Sequence, residues 1–306
     1  MAEVGEDPAN LDAILITHEH VDHVAGLSVL ARKLNIPVFF TEPTHRAWVQ
    51  MITPRTKMTY AKWLEHIKQE KAARAAAVAA MAPASDLAAQ LEDESGVIAG
   101  IVAEAGAHDS PEELNSTLEM ADAEAEALCE PVKREPSALP AVEFFQAGSN
   151  FSIGDLDIIP FTIPHDAADP CGFVFHSRSE SVRMAVATDL GYMPPNVKAA
   201  LRAIDVLLIE SNHDLEMLKD GPYPWSVKQR VLSRVGHLSN AAAAEFLTRD
   251  YDGGAHTIVL GHLSEQNNLP ELARLAAEKA IGDRLSLLGN RVLLAQQDIA
   301  LEPIRL

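Results

Sequence analysis

Four side chains of types that commonly bind metal ions lie within six consecutive residues near the start of the chain. The segment THEHVDHVAG contains the pattern H-x-H-x-D-H, formed by His18, His20, Asp22 and His23. His18 and His20 are two residues apart, so they project to the same side while the chain is extended. Imidazole is a common zinc ligand, and a carboxylate adds negative charge and suits a harder ion such as Mn²⁺. Because chance rarely places such a cluster directly after a strand, the motif predicts a metal site.

Three later segments offer further ligands, each at the end of a predicted strand. They are FTIPHDAADP with His165, AVATDLG with Asp189 and VLGHLSEQNN with His262. The ligand count then suffices for two ions: His18, His20 and His165 for one, Asp22, His23 and His262 for the other, and Asp189 as a bridge. Each ion keeps an open position for water or substrate, which distinguishes a catalytic site from a structural one.

The segments that carry these ligands alternate between strand and helix patterns. Apolar runs that end in polar residues are LDAILIT (11–17), IPVFFTE (36–42), VRMAVATD (182–189), AIDVLLIES (203–211) and HTIVLGHLS (256–264). Helical spacing occurs in HVAGLSVLARKLN (23–35), PNVKAALRA (195–203), SNAAAAEFLTRD (239–250) and LPELARLAAEKA (269–280). FSIGDLDIIPFTIP (151–164) alternates around Gly154 and Asp155, as in a hairpin. Strands alternating with helices predict a layered α/β protein with its chemistry at the carboxyl ends of the strands.

Composition limits the classes of protein to which the chain can belong. Hydrophobic residues make up 47% of its 306 residues, which excludes global disorder. The longest apolar runs, such as Ile204–Ile209, are too short to cross a bilayer, and the acidic start MAEVGEDPANLD lacks the apolar stretch of a signal peptide. Cys129 and Cys171 cannot form a disulfide framework, so we expect a cytoplasmic protein without membrane association. The net charge of −19 argues against sequence-independent coating of nucleic acid, but it permits a local phosphate site built on metal ions.

The negative charge is concentrated in one stretch of the chain. Residues 61–140 contain 16 acidic and 6 basic side chains, a net of −10, which leaves −9 for the remaining residues. Within this stretch, 11 of the 19 residues in Ala72–Gln90 are alanine. Ala and Glu favour helix, but such small and sparse apolar residues bury little surface. We therefore predict one domain over residues 1–306 with an acidic, partly helical insertion at 58–139.

The order H-x-H-x-D-H, His, Asp, His resembles that of the metallo-β-lactamase fold superfamily of metal-dependent hydrolases. Residues 11–30 and 148–278 resemble its WalJ/YycJ-like branch. The matching segments are ILITHEHVDHVAG, IPHDAADPCGF, ATDLGYMP, LLIESNHDLEML, GPYPWSVKQRVLSRVGHLSNAAAAEFL and VLGHLSEQNN. The resemblance implies an αββα sandwich and a cytoplasmic phosphodiesterase with 5′→3′ exonuclease activity, with DNA ends favoured over RNA. It implies two divalent ions as cofactors, Zn²⁺ in the first place and Mn²⁺ as the alternative.

The resemblance also implies a mechanism in which a metal-bound hydroxide attacks phosphorus. The predicted catalytic residues are Asp22, which is also a ligand, His237 and Glu210. His237 would protonate the leaving oxygen, by similarity to a histidine of the phosphodiesterase branches; alternatively, it is a helix-entry residue beside a capping Ser239 or Asn240. Glu210 would orient His237, or else it is a strand-end carboxylate bonded to the backbone.

Two features depart from the family pattern. Family members begin with a glycine- and serine-rich strand and loop and an Asp-bearing strand, whereas here the histidine motif starts at residue 18, so we expect the first strands of the sandwich to be absent. The insertion replaces a shorter connection. Two other functions therefore stay open. One is a small-molecule metallo-hydrolase, such as a lactonase, thioesterase or cyclic-nucleotide phosphodiesterase, which the acidic charge fits slightly better; the other is a truncated, non-catalytic remnant.

The segment GPYPWSVKQR (221–230) combines aromatic and basic side chains. It is either a small stacking and phosphate-binding surface for single strands or a packing element. Asp166 follows His165 directly, where a turn is the simpler interpretation. For His213 no ligand position is left, and we predict either a structural role or a role in supporting a metal ligand. Cys171 is most simply a small buried side chain.

Overall fold

The computed structural model describes residues 4–53, 138–282 and 291–306. The predicted insertion at 58–139 lies outside the described residues, apart from its last two positions. The described residues on both sides of this gap belong to one compact unit. Among them, no helix combines the length and the apolar character needed to cross a membrane.

The first sheet has three parallel strands in the order β1-β2-β3. These are β1 (Ile14–Leu15), β2 (Val38–Phe40) and β3 (Val142–Phe144). The helices that accompany this sheet are α1 (Val21–Val24), α2 (Leu27–Leu34) and α3 (Glu42–Ile52). We predicted one helix over 23–35, whereas the structure divides it at Ala25 and Gly26. Helix α2 ends at Asn35, whose left-handed backbone turns the chain into β2.

The second sheet has seven strands in the order β10-β9-β8-β7-β6-β5-β4. These are β4 (Phe151–Ile153), β5 (Leu156–Thr162), β6 (Cys171–Ser177), β7 (Arg183–Ala187), β8 (Val206–Glu210), β9 (Thr257–Gly261) and β10 (Arg291–Leu294). Strands β7 to β10 are parallel, and β4 to β7 pair antiparallel. All five residues of β9 are buried, as expected for a parallel strand covered on both faces.

Five helices accompany the second sheet within the described residues. They are α4 (Pro195–Ala200), α5 (Leu215–Asp220), α6 (Trp225–Val231), α7 (Asn240–Arg249) and α8 (Pro270–Ile281). Helices α7 and α8 bury Phe246, Leu247 and Ala277 in the same core as Leu207 of β8 and Ile258 of β9. This cluster covers one face of the large sheet.

The two sheets face each other across an aromatic cluster. Phe145, Phe173 and Ile158 are buried together, and Phe39 of β2 and Leu15 of β1 pack against them. The neighbouring residue Phe40 points the other way, into a separate core with Trp48 of α3 and Ala31 of α2. The order of layers is thus helix, sheet, sheet, helix. The predicted layered α/β architecture is confirmed.

Candidate metal centre

All seven predicted ligands lie close together at the carboxyl ends of strands from both sheets. His18 follows β1, His165 follows β5, Asp189 follows β7 and His262 follows β9. The structure contains four overlapping groups in which one ligand atom per residue lies within 4.8 Å of the others: His18, His20 and His165; His18, His23 and Asp189; Asp22, His23 and His262; and Asp189, Glu210, His237 and His262. The first and third groups are the two three-ligand sets predicted from the sequence, while their role as metal ligands stays a prediction.

The first set consists of three imidazoles arranged edge to face. Ring centroids of His18 lie 4.6 Å from His20 and 4.9 Å from His165. His165 Nδ1 lies 3.1 Å from the carbonyl oxygen of Gly236, to which it can donate. This contact favours the tautomer in which Nε2, 3.2 Å from His20 Nδ1, is free to bind a cation.

Asp189 lies between the two sets. Its Oδ1 is 3.4 Å from His262 Nε2 and 3.8 Å from His165 Nε2, and its Oδ2 is 3.5 Å from His23 Nε2. One carboxylate therefore reaches histidines of both predicted sets, as a bridging ligand must.

The backbone at two of these positions is in the left-handed region. The φ angle is 62° at Asp189 and 56° at His262. This conformation costs a non-glycine residue roughly 1–2 kcal/mol, and it often accompanies function. In both cases it turns the chain just after a strand of the large sheet, which directs the side chain into the centre.

Burial and nearby charges shift the pKa values of His18, Asp189 and His262, and the shifts at His18 and Asp189 favour the forms that bind a cation. Burial, together with the nearby His23, lowers the pKa of His18 to about 3, so its ring is neutral at pH 7. Burial alone would raise the pKa of Asp189, but the adjacent imidazole of His23, 3.5 Å away, and the surrounding histidine charges hold it well below its usual range. Burial would likewise lower the pKa of His262, but hydrogen bonds to Asp22 and Glu210 raise it to about 10.

Two buried polar atoms of the centre support the presence of metal. Within the described residues, His18 Nε2 and Asp189 Oδ2 have no hydrogen-bond partner. A polar atom buried without a hydrogen bond lowers the free energy of unfolding by roughly 1–3 kcal/mol. His18 and Asp189 form one group with His23, in which one ligand atom of each residue lies within 4.8 Å of the others. A divalent cation would bind both, so the residues present fit a metal.

Glu210 combines both roles that the sequence left open for it. Its Oε1 accepts hydrogen bonds from His237 Nδ1 at 2.8 Å and His262 Nδ1 at 2.9 Å, and its Oε2 accepts from the backbone N–H of Leu190 at 2.6 Å and Leu238 at 3.2 Å. Burial would raise the pKa of this fully buried carboxyl, but the two histidines hold it below its usual value. Glu210 therefore orients two histidines while it is itself fixed by the backbone.

His237 faces the centre, and its neighbour performs the capping. Ser239 is the N-cap of α7 and accepts from the N–H of Ala242. The other candidate cap, Asn240, is buried in a network of amides instead. The helix-entry role thus belongs to Ser239, which leaves the His237 ring at the cavity.

The amide network was not predicted. Asn240 Nδ2 donates to Asn268 Oδ1 at 2.8 Å, and Asn268 Nδ2 donates to the carbonyl oxygens of Ser211 at 2.8 Å and Asn212 at 3.0 Å. Asn212 Nδ2 in turn donates to the carbonyl oxygen of His262 at 2.8 Å. The network therefore fixes the loop that carries His262, although nothing in the local sequence distinguishes these amides from surface residues.

The basic and aromatic segment 221–230 divides between packing and the site. Lys228 is buried, and its Nζ donates to the carbonyl oxygen of Lys219 at 2.6 Å. Arg230 lines the cavity at the centre and forms an ion pair with Asp166. His213 is buried in the loop after β8 and belongs to none of the metal-competent groups found among the described residues.

In the described part of the chain, two of the cavities are lined by predicted metal ligands. One of about 420 Å³ lies against α6, and its lining includes His20, Asp189, His237 and His262. The other, of about 1270 Å³, is bordered by α8 and the segment after β10, and Asp22, His23 and His262 also line it. A substrate larger than a single small molecule therefore has space on both sides of the ligands.

Comparison with known proteins gives matches over almost the entire chain. Residues 1–72 match the metallo-beta-lactamase superfamily and residues 116–262 match a beta-lactamase superfamily domain. The chain is 30% identical over 275 residues to exodeoxyribonuclease WalJ of Streptococcus pneumoniae, covering 90% of this chain and 72% of that protein. It is 28% identical to exodeoxyribonuclease YycJ of Bacillus anthracis with the same coverage. Among solved structures it is similar to the metallo-beta-lactamase fold protein YhfI from Bacillus subtilis, with 13% identity, a TM-score of 0.49 and coverage of 96% and 79%.

Proposed function

Because this chain belongs to the metallo-beta-lactamase superfamily and is a hydrolase of that fold, we propose that it is a dinuclear, metal-dependent phosphodiesterase that degrades DNA from its ends in the cytoplasm. The observation that carries the metal chemistry is the convergence of seven ligand side chains around two buried atoms without hydrogen-bond partners. The similarity over 90% of the chain to proteins named exodeoxyribonucleases supports the choice of substrate.

The residues available for two ions are the sets named above. His18, His20 and His165 would hold one, Asp22, His23 and His262 the other, and Asp189 would contact both. Imidazole with carboxylate suits Zn²⁺ first and Mn²⁺ as the alternative. The chemistry that divalent cations supply in such a site is polarisation of a phosphoryl oxygen and activation of water at neutral pH.

The protein's own contribution to proton transfer falls to His237. Its Nδ1 is held by Glu210, so its Nε2 is the nitrogen available to the cavity. A protonated His237 would donate from Nε2 to the leaving oxygen of the substrate, and the buried carboxylate of Glu210 would stabilise the charged ring before transfer. Glu210 acts here as a positioning residue.

A substrate panel separates this proposal from a small-molecule hydrolase on the same fold. Protein loaded with Mn²⁺ or Zn²⁺ is incubated with 5′-phosphorylated DNA, RNA, a lactone, a thioester and a cyclic nucleotide. We expect shortening of the DNA from its end and bound metal close to two ions per chain. Turnover of a lactone or thioester without degradation of DNA would contradict the nuclease proposal.

The ligand set is tested by His18→Ala combined with His20→Ala, which should remove metal and activity together. A matched control is His176→Ala. Strand β6 begins at Cys171, near the centre, and His176 lies close to its other end, about 15 Å along the strand. His176 belongs to none of the ligand groups among the described residues. Fewer than one ion per wild-type chain, or an active double variant, would show that the assigned centre is wrong.

A further inference from the structure

We propose that Arg230 binds a substrate phosphate other than the one being cleaved, and that Asp166 positions its guanidinium for this purpose. The proposal rests on the nuclease function above and names the residue that recognises the nucleotide in the smaller cavity. The volume of that cavity is about 420 Å³, which falls in the range of roughly 300–1,000 Å³ typical of small-molecule sites.

Arg230 is the one basic residue, apart from histidines, among the described residues that line this cavity. Its neighbours there include four acidic residues: Glu19, Asp22, Asp166 and Asp189. Asp22 and Asp189 belong to the metal centre, and Glu19 accepts a hydrogen bond from the N–H of Ala168 at 2.9 Å. Among the described lining residues, Arg230 is therefore the guanidinium or ammonium group available to a phosphate that lies outside the reach of the ions.

The guanidinium is held along one edge and open along the other. Arg230 Nε donates to Asp166 Oδ2, while Asp166 Oδ1 lies 3.5 Å from His165 Nε2. The structure shows no hydrogen bond from the terminal nitrogens of Arg230 to any described residue, and the side chain is 62% exposed. An exposed ion pair contributes little to stability, but it fixes the orientation of the planar donor fork that binds phosphate.

The remaining lining of the cavity suits the apolar parts of a nucleotide. Val21 of α1, Met51 of α3 and Val227 of α6 are exposed apolar residues that border it. Val227 and Arg230 are three positions apart on α6, so both face the cavity. Sugar and base would thus have contacts beside the phosphate site, while the scissile phosphate would lie at the proposed ligand set.

The test compares Arg230→Ala with Arg234→Ala in the metal-loaded protein. Arg234 is a suitable control because it loses the same charge, while its guanidinium lies 4.1 Å from the ring centre of Tyr192 and does not line the cavity. We expect Arg230→Ala to raise KM for DNA about tenfold or more, with a smaller change in kcat, because a charge-assisted contact is lost. Arg230→Lys should recover part of the loss, since it keeps the charge without the fork.

Equilibrium binding supplies a readout that is independent of catalysis. A dye-labelled phosphorothioate oligonucleotide, which resists hydrolysis, is titrated with each variant at several salt concentrations. For Arg230→Ala the slope of log affinity against log salt should decrease by about 0.7, the value for one phosphate contact on a single strand. Oligonucleotides with and without a 5′-phosphate distinguish a terminal from an internal phosphate.

The positioning role of Asp166 is tested with Asp166→Asn, with metal content measured because His165 is adjacent. We expect a higher KM for DNA at unchanged metal content. If the wild-type protein neither binds nor cleaves DNA, the nuclease function is wrong and this proposal with it. If the wild type cleaves DNA but Arg230→Ala matches Arg234→Ala in KM and salt slope, only the assignment of Arg230 is overturned.

Discussion

Replacing Glu210 by glutamine should disturb two histidines at once. The carboxylate accepts four hydrogen bonds, two from imidazoles on Oε1 and two from backbone N–H groups on Oε2, and it has no exposed surface. An amide of the same size carries only one accepting atom. Whichever way it turns, its NH₂ group faces either two imidazole Nδ1–H groups or two backbone N–H groups.

Each orientation has a calculable consequence. If the NH₂ group faces the backbone, two buried N–H donors lose their acceptor, at roughly 1–3 kcal/mol each, so the free energy of unfolding falls by about 2–6 kcal/mol. If it faces the imidazoles, His237 and His262 must change tautomer, and His262 Nε2 then carries a proton where it should bind metal. Loss of such a supporting contact typically lowers metal affinity or activity about 10–100-fold.

The assay combines urea unfolding with metal titration against a competing chelator and with kcat on DNA. Glu245→Gln is the matched control, because Glu245 lies on the surface of α7, where its ion-pair partner among the described residues is Arg249, at 2.6 Å. That pair is worth less than about 1 kcal/mol. A Glu210→Gln protein with wild-type unfolding free energy, metal affinity and kcat would refute the idea that this carboxylate organises the centre.

Three further predictions concern groups outside the centre. Burial lowers the pKa of His213 to about 4, so between pH 6.5 and 4 the unfolded chain binds a proton that the folded protein does not. The free energy of unfolding therefore falls as pH falls through this window. His213→Phe should reduce this decline by up to about 3 kcal/mol, measured by urea unfolding. Trp48 has no exposed surface and packs on Phe40, so Trp48→Ala should cost about 3–5 kcal/mol, measured by the same method; a smaller loss than 1 kcal/mol would contradict this packing. Burial raises the pKa of the Cys171 thiol, so in a Cys129→Ser protein a thiol reagent should react only after unfolding, and rapid labelling of the folded protein would contradict the structure.

The positions of the proposed ligands could be predicted because their signals are local. His18, His20, Asp22 and His23 lie within six residues of one short motif, and His165, Asp189 and His262 each stand at the polar end of an apolar run. The carboxyl ends of such strands come together in a layered α/β protein. The structure brings all seven together in overlapping groups of three or four. Predicting this convergence required only that the ends of the strands be recognised correctly.

Partner choice could not be predicted, because hydrophobic periodicity does not encode which strands pair. Strand β3 completes the small sheet beside β2, although about a hundred residues separate them in the sequence. The hydrogen bond from His262 to Glu210 also joins residues that are distant in sequence, 52 positions apart. The sequence therefore linked Glu210 with His237 and missed its second histidine.

Side-chain chemistry was also ambiguous in the segment 221–230. Lys228 and Arg230 have the same charge and are two positions apart, so on a helix they face different directions. The structure buries Lys228 against α5 and directs Arg230 to the cavity. Which face of a short helix meets the core depends on neighbours that the local pattern does not reveal.

The left-handed backbone at Asp189 and His262 lowers the stability of the fold while it directs two side chains into the proposed metal centre. Glycine adopts this conformation without strain, so Asp189→Gly or His262→Gly would relieve roughly 1 kcal/mol of strain at each position in the metal-free protein. Each change would also remove one of the proposed metal ligands. Selection for thermal stability alone would therefore favour variants that have lost the metal centre, and a screen for stabilised forms of this hydrolase must retain a measure of bound metal or activity.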